Sequence, residues 1–460
     1  MYNLLMRQKF ILDINPSTGE LIEKIKCSST GEIASGVKLA RKAFKTWATV
    51  PYKNKVASFK KIIKDFKKSK DYISKLITDE TGKSINSSNQ EVVKFIESIE
   101  NHLILVEKSL ESKFYKSGRL NTEVERIPVG VTAVITTFNN PLLIPEMLIT
   151  PAILTGNTVV FKPSEHSPII GRVIYEIFNR YLPKGVINLL QGSIEVAEIL
   201  LTTDIDLIGF VGSRNIGKKI MTAASRKLNR IIMETGGKNP MIVLKDADLD
   251  AAASFAVKYS LLNSGQSQLA VERIYIEEKI SDKFEALVVQ KVKKLKIGSG
   301  HKNADIGPVI SDSLRTHILT QIDEVKRKGA RILFGGNKID SRGFFIEPTV
   351  ISDLSEKYDI MHNETYGPVI CIQKVKSADE AIEKANCCQL GLSGTVWSKN
   401  TKKAYELAKK LDVGMVGVNC ETLGAKGSPY VGLKQSGYGY LCSVEGLLHF
   451  TLPKKISYLS

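Results

Sequence analysis

A chain of 460 residues with 43% hydrophobic and 25% charged side chains describes a globular protein large enough for two or three domains. No run of 18 apolar residues occurs, so no membrane-spanning helix is expected, and six cysteines without zinc-ligand spacing exclude a disulfide scaffold. The net charge of +17 is scattered over many segments with no nucleic-acid-binding motif beside it, so it describes a lysine-rich solvated surface rather than a nucleic-acid or membrane footprint.

The first ten residues, Met1–Phe10, make a poor secretory signal, because charge interrupts the short apolar stretch and no small-residue cleavage site follows. With the sparse cysteines this predicts a reducing, cytoplasmic setting. Helical periodicity then predicts helices over 31–48, 53–80 and 88–110. In the second of these, Lys60, Lys61, Lys64, Lys67 and Lys68 interleave with Phe59, Ile62, Ile63 and Phe66, the pattern of an amphipathic helix with one solvated face. Residues 111–128 alternate around a Ser-Gly turn and predict a two-stranded excursion.

From residue 129 a strand–helix alternation begins. It has strands at 129–137, 157–161, 186–190 and 207–211, with helices from about 141 and over 167–181, 194–202 and 216–226. A second alternation follows the 231–245 region. Its helices lie near 248–264, 280–295, 312–328, 377–387 and 401–411, and its strands near 273–277, 331–334, 369–374, 394–397 and 415–418. Such alternation predicts an α/β fold with two doubly wound parallel sheets. The tail, Leu448 to Tyr458, reads as an edge strand broken by Pro453.

Several short motifs fall at strand ends. Phe161-Lys-Pro-Ser-Glu165 follows one strand, and Gly212-Ser213 with Gly217 follows another and opens a helix, where backbone N–H groups can hold an anion. Met233-Glu-Thr-Gly-Gly-Lys238, Asn263-Ser-Gly-Gln-Ser-Gln268 with Arg273, and Glu364-Thr-Tyr-Gly-Pro368 come next. Thr137-Phe-Asn-Asn-Pro141 precedes them all. In this order and spacing, over nearly the whole chain, the set resembles the aldehyde dehydrogenase superfamily.

The resemblance implies roles. Asn139 would join a backbone N–H as the oxyanion hole, and Glu234 would be the general base that activates water. Lys162 and Glu165 would clamp the adenosine ribose. A carboxylate at 165 repels a 2′-phosphate, so NAD is favoured over NADP. Gly212 and Ser213 would receive the pyrophosphate. Glu364 would hold the nicotinamide ribose, with Tyr366 packed beside the nicotinamide. It also implies an NAD-binding domain (1–110 and 129–235), a catalytic domain (236–446) and an oligomerisation arm (111–128 and 447–460) that pairs subunits into a homodimer or homotetramer. Cys420 is expected as a buried wall residue.

One position departs from the pattern. Where the resemblance calls for the nucleophilic cysteine stands Gln268, and no cysteine occurs between Cys27 and Cys371. Glutamine has no thiolate and cannot add to a carbonyl carbon. Leu269 and Gly439-Tyr440-Leu441, in place of Gly-Arg-Glu, are further departures. Three readings follow. The chain is a cofactor-binding pseudoenzyme of this family that still binds a small aldehyde or carboxylate. Alternatively it is an oxidoreductase working by a thiol-free route through Glu234-activated water, or a structural or regulatory oligomer subunit.

Overall fold

The computed structural model describes residues 9–459, so most of the stretch assessed as a signal sequence, and Ser460, lie outside the described residues. Two sheets organise the chain. The first has six strands, in the spatial order Gly437–Tyr438, Arg230–Glu234, Leu207–Val211, Val131–Ile135, Thr158–Lys162 and Ile187–Leu189, all parallel except Gly437–Tyr438. The second has seven, in the order Arg331–Phe334, Thr349–Ser352, Val369–Val375, Val271–Glu277, Asn239–Val243, Ser393–Trp397 and Met415–Val418, parallel except at the Arg331–Phe334 edge. Strands Val131–Ile135, Thr158–Lys162, Leu207–Val211, Asn239–Val243 and Val271–Glu277 are buried at every residue. That is the condition of strands covered on both faces, and it explains their nearly continuous apolar runs.

In the first sheet, successive strands run outward from Val131–Ile135 to one side, and then Leu207–Val211 is added on the other. The chain order therefore reverses between these two neighbours. Ligand crevices of open α/β sheets form at the carboxyl ends flanking such a reversal. A third, antiparallel sheet joins Lys113–Ser117, Leu120–Pro128 and Thr451–Leu459. It leaves Phe114, Tyr115, Ile456, Tyr458 and Leu459 exposed.

The structure corrects the sequence reading in several places. The predicted helix over 53–80 is two helices, Tyr52–Lys68 and Lys70–Thr81, separated at Ser69. The spacing from Phe66 to Ile73 is seven residues, two helical turns, so the apolar stripe stays in phase across the break and periodicity cannot reveal it. The tail is not broken at its proline: Thr451–Leu459 is one strand, with Pro453 opposite Arg126, and it lies at the sheet edge, where a missing donor is tolerated. Strands Phe10–Ile14, Leu21–Lys26 and Thr349–Ser352 were not anticipated. Among the described residues no helix is long and apolar enough to cross a membrane.

Candidate active site

The loop leaving strand Val131–Ile135 carries Asn139, which is about 1% exposed. A buried ion pair holds this loop. Lys83 Nζ donates to Glu91 Oε2 (2.6 Å), to the Asn139 carbonyl (2.7 Å) and to Asn140 Oδ1 (3.2 Å). Glu91 Oε1 in turn accepts the N–H groups of Leu142 (2.9 Å) and Leu143 (3.1 Å). Two charges removed from water thus satisfy the backbone of one turn, which fixes its path. Neither residue was anticipated from sequence. They stand eight positions apart, on a turn and on the helix Ile85–Ser109, so no helical spacing pairs them.

At the end of Thr158–Lys162, Lys162 Nζ lies 3.3 Å from Glu165 Oε2. Burial works to raise the Glu165 carboxyl, but the Lys162 ammonium and the His166 ring more than offset it and leave it below its ordinary value. Ser213 caps the helix Arg214–Ser225 in extended conformation and makes no side-chain capping bond, so the hydroxyl stays available at a helix N-terminus. The Gly212 N–H donates to the Glu234 carbonyl (3.1 Å), tying the two strand ends together.

Glu234 ends strand Arg230–Glu234. Its side chain is about 1% exposed, and neither carboxylate oxygen has a hydrogen-bond partner. Burial pushes its carboxyl well above the usual range. The following motif is stitched to the C-terminal segment. Thr235 N donates to the Ser436 carbonyl (2.8 Å), Thr235 Oγ1 to the Gln435 carbonyl (2.6 Å), and Ser436 Oγ to the Gly236 carbonyl (2.8 Å).

Gln268 and its neighbours lie at the amino end of the second sheet, before Val271–Glu277. The turn begins with Asn263, Ser264 and Gly265, all in the left-handed region (φ 53°, 58° and 75°). A Cβ at Gly265 would overlap the Gly367 carbonyl, so the two loops touch backbone to backbone. Gln266 braces the turn: its Nε2 donates to the Asn263 carbonyl (3.0 Å) and its Oε1 accepts from Ile310 N (2.8 Å). Asn239 Nδ2 donates to the carbonyls of Gln268 and Ala270 (2.8 Å each), and its Oδ1 accepts from Ser393 N (3.1 Å). Arg273, fully buried, donates to the Lys238 carbonyl (2.8 Å), Tyr275 Oη (2.9 Å) and the Ala385 carbonyl (3.0 Å). It serves as a brace between segments.

The Glu364–Tyr366 turn is held the same way. Lys238 and Glu272 form a buried ion pair, and Glu272 accepts the N–H groups of Thr365 (3.0 Å) and Tyr366 (3.2 Å). Tyr366 has φ 52° and packs edge-on to Phe138, ring centroids 6.1 Å apart. Gly236 makes room for Glu364, since a Cβ there would overlap the Glu364 carboxylate. Desolvation first, and then the charge of Glu272, push the Glu364 carboxyl up to about 8.

Asn139, Glu234 and Gln268 line one cavity of about 540 Å³ between the two sheets, together with Phe255, Tyr259, Leu262, Leu269 and Tyr430. Lys162, Glu165, Gly212, Ser213, Glu364 and Tyr366 stand outside that lining. Cys420, expected buried, is exposed; the cysteine that lines the cavity is Cys442.

The aldehyde dehydrogenase family model matches residues 6–456. The chain is 32% identical over 457 residues to betaine aldehyde dehydrogenase of Bacillus subtilis, covering 96% of this chain and 93% of that one. It is 31% identical over 444 residues to malonate-semialdehyde dehydrogenase of Lacticaseibacillus casei, covering 93% and 88%. Its fold superposes on the crystal structure of a Staphylococcus aureus betaine aldehyde dehydrogenase point mutant in complex with NAD+, with a TM-score of 0.94, 31% identity, and 99% and 98% of the two chains covered. Motif order, two-sheet topology and these matches agree: the chain belongs to the aldehyde dehydrogenase family.

Proposed function

We propose that this chain is an NAD-binding member of its family in which thiol catalysis is lost, because Gln268 occupies the nucleophile position. The observation that carries this reading is the shared cavity. What supports it is that Gln268 lines this cavity with Asn139 and Glu234, and that its backbone carbonyl is held by Asn239 Nδ2. No lone pair on glutamine replaces a thiolate at neutral pH.

The residues present fit NAD. Ser213 leaves its helix N-terminus uncapped for pyrophosphate, Gly236 opens space beside Glu364, and Lys162 with Glu165 offers a donor and an acceptor to a ribose. Glu165 favours NAD over NADP, since its carboxylate would repel a 2′-phosphate. When bound, the nicotinamide supplies a hydride acceptor. The domain limits of the sequence reading belong to the same proposal, as do the cytoplasmic setting and a homodimer or homotetramer joined through the exposed edges of the three-stranded sheet.

A second reading is favoured by one feature, the buried and unpartnered Glu234 carboxyl. In its ionised form it would take a proton from water adding to an aldehyde and return it to the carbonyl oxygen, giving the hydrate without a covalent enzyme intermediate. Burial, by raising it, favours the protonated form. That route forgoes the positioning a thiohemiacetal provides, worth several orders of magnitude in rate. The deciding experiment follows NADH absorbance over aliphatic, aromatic and acidic semialdehydes for the native chain and Gln268→Cys. Silence in the native chain with turnover in Gln268→Cys is expected. Native turnover abolished by Glu234→Ala would establish the thiol-free route instead, and a chain that binds no NAD would leave the structural-subunit reading.

A further inference from the structure

Residues 421–429 run between the strands Met415–Val418 and Tyr430–Val431, and every one of them lines the cavity shared by Asn139, Glu234 and Gln268. All are exposed or half-buried, so the segment stands between the cavity and solvent rather than inside the packed core. Two helices complete the solvent-facing part of the lining. Leu249–Leu261 contributes Lys258 and Tyr259, and Ile85–Ser109 contributes Gln90, Lys94 and Glu97.

Little holds this segment in place. Within it, Ser428 N donates to the Ala425 carbonyl (3.1 Å), and the Ser428 hydroxyl donates to the same oxygen (2.6 Å). Among the described residues a single hydrogen bond ties 421–429 to another element: Tyr259 Oη donates to Glu421 Oε2. The tyrosine is a firm post. Its ring stacks on Phe255 (centroids 4.2 Å apart, 25° between planes), and Phe255 packs on Trp397 (4.9 Å). Burial first, and then the bond to Glu421, push the Tyr259 hydroxyl above its ordinary range, so it keeps its proton and remains the donor. The segment opposite it is built to move. Gly424 and Gly427 have φ of 64° and 85°. Glycine passes between positive and negative φ without a Cβ clash, so these two positions can absorb a change of path.

We infer that residues 421–429 form a strap over the cavity, latched by the bond from Tyr259 to Glu421, and that release of the latch lets ligand in and out. This rests on the proposal that the cavity is the ligand site, and it adds how passage into that site is governed. A hydroxyl bound to a carboxylate is stronger than a bond between neutral groups, but Glu421 is exposed and water competes for it. The latch therefore holds the strap shut by about tenfold, far less than burial in a core would.

The test uses the full chain. Limited trypsin digestion reads the open strap through cleavage after Lys426, because a protease needs a locally opened segment. Tyr259→Phe keeps the stacked ring and removes only the donor, and Glu421→Ala alters only an exposed side chain. Each should speed cleavage after Lys426 by about fivefold or more while cleavage elsewhere is unchanged, and the double variant should add nothing further. Passage into the cavity is read by N-ethylmaleimide on the thiol introduced by Gln268→Cys, followed on the peptide carrying position 268. Adding Tyr259→Phe to that background should speed its modification by a similar factor. An unchanged rate in either reading, or a double variant at the product of the two single effects, would overturn the inference. Neither reading uses NAD or turnover, so failure of the latch and failure of the functional proposal are told apart.

Discussion

Lys83→Met should be among the most damaging substitutions remote from the motifs. The Lys83 and Glu91 side chains are about 4% and 3% exposed, so neither charge is shared with bulk water. Methionine keeps most of the stem volume but removes three donated bonds, to Glu91, Asn139 and Asn140. It leaves the Glu91 carboxylate facing two backbone N–H groups and no cation. Breaking a buried pair on one side costs about 3–5 kcal/mol, because the surviving charge stays desolvated. Replacing both residues removes that penalty. Lys83→Met with Glu91→Leu should therefore be less destabilised than the sum of the single changes, with a coupling of about 1–3 kcal/mol. Urea midpoints for the four proteins close the cycle. A loss below about 1 kcal/mol for Lys83→Met, or strict additivity, would refute the view that this pair holds the Asn139 loop.

Asn239→Ala removes donors to two carbonyls and the partner of Ser393 N, so it should cost about 1–3 kcal/mol for each buried group left unpaired, read as a lowered melting temperature. Gly236→Ala drives a methyl into the Glu364 carboxylate; NAD affinity by calorimetry should fall at least tenfold, and an unchanged affinity would remove Glu364 from the cofactor site. A pH effect should arise at Asp13, which packs near Glu80 in the core with Glu23, Asp79 and Arg172 around it. Burial raises Asp13 from 3.8 to about 7, against the bond with Glu80 and with help from the charge of Glu23. Between those values the folded state holds a proton that the unfolded chain releases. This contribution is thus complete below about pH 4 and lost as pH rises through about 7, on the order of a few kcal/mol. Asp13→Asn should flatten that part of the stability profile measured by denaturation from pH 5 to 8.

Much of the architecture was legible because its signals are local. Fully buried strands such as Val131–Ile135 and Leu207–Val211 must be apolar at every position, and a helix needs only its 3.6-residue stripe. The break at Ser69 was hidden because both helices present the same stripe in phase. The short strands Phe10–Ile14 and Leu21–Lys26 were missed because their mixed polarity offers little to a period of two.

The site divides along the same line. Its motif segments stand out in the sequence alone, because glycines, prolines and charged residues cluster at strand ends in recognisable order. Sequence by itself therefore determined the family and the absence of a thiol at Gln268. It could not determine which of those residues share a cavity. Only the tertiary structure put Asn139, Glu234 and Gln268 together and left Lys162, Glu165 and Glu364 outside their cavity. It also supplied the supports, Lys83 with Glu91 and Lys238 with Glu272, and exchanged exposed Cys420 for Cys442 on the cavity wall. The physical reason is that a hydrogen-bonded support depends on distance in space between charges that water no longer screens. Two such partners carry no fixed spacing along the chain, so nothing in their order announces the contact.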